Sequence, residues 1–80
     1  MPYIKEKERQ ELLTGAPASS GQLNYCITNM INVYLHETGI CYDTLNEIIG
    51  VLECAKLEFY RRVVSDYENV QKKANGDVYD

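Results

Sequence analysis

Tryptophan is absent from this 80-residue chain, and phenylalanine and histidine each occur once. With His36 the sole imidazole, no His-x-x-x-His pair can form, and no Gly-rich phosphate loop or nucleophile elbow appears. The common catalytic frameworks are therefore missing, and we expect a protein that is not an enzyme; were there a reaction, Glu53 would be the first candidate for an acid or base. Cys26, Cys41 and Cys54 fall in no Cys-x-x-Cys pair, so neither zinc nor any other cofactor is expected. Their odd number, and the lack of a charged-then-apolar leader after Met1, point to free thiols in a reducing cytoplasm. No apolar run approaches the ~20 residues that cross a bilayer, so no membrane partner is expected.

Positive charge is also scarce. Eight Lys and Arg against twelve Asp and Glu leave a net charge of −4, which argues against a sequence-independent grip on duplex nucleic acid, where clustered cations must neutralise phosphates.

What the chain does have is helical periodicity. Residues 1–20 read as a charged N-terminal arm or short helix followed by a Gly/Pro/Ser linker. Ser19-x-x-Gln22 has the pattern of a capping box, and Leu23, Ile27, Met30, Ile31 and Tyr34 then recur at three- and four-residue steps. This predicts a helix over 21–37, stopped by Thr38-Gly39. Asp43 is placed to cap a long helix over 43–64. Leu45, Ile48, Leu52, Ala55, Phe59 and Val63 form one apolar stripe of that helix, and Ile49, Leu57, Tyr60 and Val64 a second beside it. Gly50, costly in a helix interior, points to a close helix crossing. Ser65-x-x-Glu68 repeats the capping pattern, so a break or kink is expected before a polar extension over 65–74, with a tail over 75–80. The whole is one all-α domain, an antiparallel helical hairpin with a short N-terminal helix or arm.

Two apolar stripes on one helix need two neighbours, and a chain this short supplies one. Self-association into a homo-oligomeric helical bundle is therefore expected.

Polar groups set into this apolar frame are the candidates for binding. Asn24, Thr28 and Asn32 lie at four-residue steps on the second helix, a stripe that is either a solvated face or a hydrogen-bonding surface. Tyr25 and Tyr42 could stack on a ligand. On the long helix Asn46 and Glu53 could accept or donate hydrogen bonds, and Lys56, Arg61 and Arg62 could hold an anion, guanidinium forks being suited to phosphate. The competing account is surface pairing within the helix, Glu53 with Lys56 and Glu58 with Arg61 or Arg62.

The segments MPYIK, LNYCIT, YDTLNEIIGVLECAKLEFYRRVVSDYE and NGDVY together resemble a family of small proteins of unknown function found in bacteriophage genomes and metagenomes. Asp66 stands where proline is usual in that pattern, and the segment between the arm and Leu23 is short. In plan the chain is also similar to small phage proteins that sequester cyclic nucleotide or cyclic ADP-ribose signals of bacterial defence, with Leu52-Glu53 and Asn24 in comparable places. That similarity implies a phage anti-defence sponge in the host cytoplasm, binding a nucleotide-derived signal between subunits. The alternative is an oligomeric protein–protein adaptor with no small-molecule ligand.

Overall fold

The computed structural model describes Met1–Tyr79, and Asp80, the last residue of the expected tail, lies outside the described residues. The described residues are helical throughout their ordered elements, with no strand among them. Helix α1 spans Glu6–Glu11, α2 Ser20–Thr38, α3 Tyr42–Phe59 and α4 Ser65–Asn75, with a π turn at Tyr60–Val64 joining the last two. The chain divides into two units, Met1–Leu45 and a second that begins at Asn46.

In the first unit the start of α2 is capped as its sequence requires. The Gln22 amide donates to Ser19 Oγ (3.1 Å), and Gln22 Oε1 accepts from the Ala18 amide (2.9 Å). The reciprocal bond thus lands one residue before the cap. Gln22 also ties the arm down, its Nε2 donating to Glu8 Oε1 (3.0 Å) while Glu8 Oε2 accepts from the Lys5 amide (3.0 Å). Arg9 Nη1 donates to the Ile4 carbonyl (2.8 Å), so the N-terminal segment is a hydrogen-bonded helix and turn. It approaches α2 closely at Gly21, where an added Cβ would meet Ile4 Cγ2 at 3.3 Å.

Gly39 ends α2 at φ +96°, its amide donating to the Leu35 carbonyl (2.7 Å). Its ψ of 152° lies outside the left-handed helical region expected of a C′ glycine, in a basin open almost solely to glycine. The next helix begins at Tyr42, two residues before the Thr44 start that a cap at Asp43 would set. The Leu45 amide donates to the Cys41 carbonyl (3.0 Å), and Asp43 sits in the first turn. Thr44, 3% exposed, lies beside the turn with Oγ1 3.2 Å from Cys41 Sγ.

The second unit is helical from its first residue to Asn75. No break occurs at Ser65, whose φ of −60° and ψ of −43° are helical and whose amide donates to the Tyr60 carbonyl. Inside a continuing helix that amide already has a partner, so the Ser65-x-x-Glu68 pattern has no free end to cap. Among the described residues Gly50 meets nothing within 4 Å at its Cβ position. Gly76 ends α4 at φ +92°, as Gly39 ends α2.

Among the described residues no apolar side chain is buried. No helix is long and apolar enough to cross a membrane.

Candidate functional site

A concave surface in the first unit lies between the residues following α1 and one side of α2. Leu12 and Leu13 form one wall, Tyr25, Met30 and Val33 the other, and the groove encloses about 370 Å³. Its lining is mostly apolar, with Arg9 and Asn29 as polar groups. α2 brings Tyr25, Cys26, Asn29, Met30 and Val33 together because steps of three and four residues link them along one helix face. The turn at Leu12–Thr14 presents both leucines because the Leu12 amide donates to the Glu8 carbonyl and the Gly15 amide to that of Glu11. The Gln22 amide beside Glu8, seconded by the Lys5 amide, holds the Glu8 carboxyl below the ordinary glutamate value.

Of the eight residues expected to bind a ligand, Tyr25 lines this groove. Asn24 is exposed on α2, and its Oδ1 accepts from the Thr28 hydroxyl (3.1 Å). Two residues of the polar stripe on that helix are thus bonded to each other. Tyr42, the first residue of α3, is 78% exposed.

Asn46, Glu53, Lys56, Arg61 and Arg62 all lie exposed on the second unit. Lys56 Nζ is 3.5 Å from Glu53 Oε1. Glu58 takes both guanidinium groups, Arg61 on one oxygen and Arg62 on the other at 3.5 Å. Each cation therefore has a carboxylate one helical turn away, the arrangement of the competing surface account, and such exposed pairs contribute at most a few tenths of a kcal/mol. Tyr60 donates its hydroxyl to Glu68 Oε1 (2.7 Å), and this bond, with the charge of Glu68, raises the Tyr60 pKa above its ordinary value.

Arg9, Leu12 and Leu13 were not among the expected site residues. Their signal is the spacing Arg9-x-x-Leu12-Leu13 at the end of a charged helix, which puts a guanidinium and two apolar side chains on one side of it. Cys26 is half-buried in the groove wall, Cys41 and Cys54 are exposed, and none of the three is in a disulfide among the described residues. Among the described residues no three His, Cys, Asp or Glu side chains come together as a metal site.

The family described as a domain of unknown function (DUF6899) matches residues 1–78. The chain belongs to that family. Comparison with curated proteins and with solved structures returns no match.

Proposed function

We propose that this protein is a non-catalytic helical interaction protein that works as a homo-oligomer. The observation that carries this reading is the exposure of the long helix. From Leu45 to Val70 its apolar side chains are exposed or half-exposed, Leu52 at 37% exposed, Phe59 at 60% and Val70 at 62%. Most helical stability in proteins comes from packing an apolar face, and a contiguous exposed apolar surface marks an interaction site. The three-residue connector Gly39–Cys41 would let α2 cover one stripe as an antiparallel hairpin, leaving the other for a second copy. Sedimentation velocity across a range of concentrations tests this reading, which expects a sharp oligomer. A species that stays monomeric with full helix content at about 100 μM would overturn it.

Capture of a nucleotide-derived signal is a second reading, favoured by the groove of the first unit. Tyr25 offers a ring for stacking and Arg9 a guanidinium for phosphate. In this reading the protein is a bacteriophage product acting in the host cytoplasm, and Arg9 replaces Arg61 and Arg62 as the anion ligand. Calorimetric titration with cyclic di- and trinucleotides and cyclic ADP-ribose isomers decides it: binding that is lost in Arg9→Ala supports capture, and no binding tighter than ~100 μM across the panel leaves the interaction protein alone.

A further inference from the structure

The long helix carries a seam that only an uninterrupted turn of ordinary α-helix would spoil. Leu45, Ile48, Leu52, Ala55 and Phe59 follow the alternating three- and four-residue steps of a heptad pattern. Val63, Tyr67 and Val70 continue the same alternation, but displaced by one residue toward the C-terminus. The π turn occupies Tyr60–Val64, between the two halves. Because its hydrogen bonds run from i to i+5, it takes up one extra residue. It therefore absorbs the displacement and keeps both halves of the seam on one face. Every side chain of this seam is exposed or half-exposed within the chain.

The two ends of the seam mirror each other. Its first half begins with steps of three and four, Leu45 to Ile48 to Leu52, and its second half closes with four and three, Val63 to Tyr67 to Val70. Reversing the helix about its midpoint superposes these six positions, while Ala55 and Phe59 fall opposite Tyr60 and Lys56. An antiparallel pair of identical helices would match the six outer apolar positions to one another, as a two-fold interface requires.

Charge and volume choose the same orientation. α3 carries Asp43, Glu47, Glu53 and Glu58 against Lys56, a net −3, whereas the π turn and α4 carry Arg61, Arg62, Lys72 and Lys73 against Asp66 and Glu68, a net +2. Antiparallel pairing sets the acidic half against the basic half, and parallel pairing sets like against like. Near the midpoint, reversal sets the small Ala55 opposite the large Tyr60.

We propose that the long helix is self-complementary and pairs antiparallel with the same helix of a second copy, Leu52 opposite Val63, Ile48 opposite Tyr67 and Leu45 opposite Val70. This inference rests on the homo-oligomer reading above and adds its orientation and register. Cysteine cross-linking tests it, in the full chain with Cys26→Ser, Cys41→Ser and Cys54→Ser. Leu52→Cys and Val63→Cys proteins, mixed and oxidised, should give a disulfide-linked heterodimer, because a disulfide needs facing Cα atoms within about 7 Å. Leu52→Cys alone should stay unlinked, since its two thiols would lie about 16 Å apart along the axis at 1.5 Å per residue. A homodimer cross-linked by Leu52→Cys alone would overturn the antiparallel orientation while self-association stands. An oligomer that cross-links in neither experiment would overturn the seam as the interface. A cysteine-containing wild type that sediments as a folded monomer would remove both this inference and the reading beneath it.

Discussion

The Tyr60 hydroxyl donates to Glu68 Oε1 at 2.7 Å, joining the first residue of the π turn to a carboxylate of α4. Both side chains are exposed, so the bond is modest in energy. Its effect on titration is more distinctive than its effect on stability.

Glu68 holds the Tyr60 pKa above its ordinary value, first through the hydrogen bond and then through its charge. A raised folded-state pKa means that the bond's contribution is complete below the unfolded value, and is lost as pH rises through the folded one. In Glu68→Gln the Tyr60 midpoint should fall back toward the ordinary tyrosine value. Carbon-13 NMR of labelled tyrosine rings measures it, and an unchanged midpoint would show that the pairing is not populated in solution.

Glu8 is shifted the opposite way, by the Gln22 side-chain amide first and the Lys5 amide second. A lowered folded pKa means its contribution is present above the ordinary glutamate value and fades as pH falls through the folded one. Acidification should therefore loosen the N-terminal segment before it unfolds α2. The protection factors of the residue 4–12 amides, taken relative to intrinsic exchange at each pH, should fall at acid pH in the wild type, and at neutral pH already in Gln22→Ala.

Gly39→Ala should destabilise the chain by about 1–3 kcal/mol, because φ +96° with ψ 152° is strained for any residue with a Cβ. Thermal melts followed by circular dichroism would read this as a lower midpoint.

Gly50→Ala should do the reverse. An added Cβ there meets nothing within the chain, and alanine is favoured over glycine by about 1 kcal/mol in a helix interior. On the helical wheel Gly50 lies opposite the seam, so sedimentation should find the oligomer unchanged. A variant that dissociates would place the helix crossing at Gly50 after all.

Ser19→Ala removes the oxygen that accepts from the Gln22 amide, and should cost about 1 kcal/mol. The loss should appear as fraying of the first turn of α2 in amide exchange.

Local signals proved readable wherever the physics is local. The cap at Ser19 and the stops at Gly39 and Gly76 depend on residues within one turn of each other, and all three sit where the sequence expects a helix end. Ser65 shows the limit of such reading. A capping pattern has meaning only where the chain enters the helix from outside, and whether a helix has already begun is set by residues upstream. Asp43 shows it again on a smaller scale, because starting the helix two residues earlier moves a cap into the first turn.

The binding residues were harder to read for a related reason. Lys56, Arg61 and Arg62 fit both an anion site and surface pairing by spacing alone, and the structure sets Glu53 and Glu58 beside them one turn away. Arg9 looked like part of a solvated charge run until the turn after α1 set it beside Leu12, Leu13 and Tyr25. Concavity is a relation between elements distant in sequence, which no spacing rule within one helix contains.

By itself, then, the sequence determined the helices, the ends at Ser19, Gly39 and Gly76 and the apolar stripes, since these follow from side-chain periodicity and capping within a few residues. Only the three-dimensional structure decided that the helix runs through Ser65 and that a π turn takes up the extra residue between two halves of a seam. It also decided that the N-terminal arm bonds back onto α2. These depend on which backbone amide reaches which carbonyl, and on side chains from separate segments meeting, and both are settled when the chain folds.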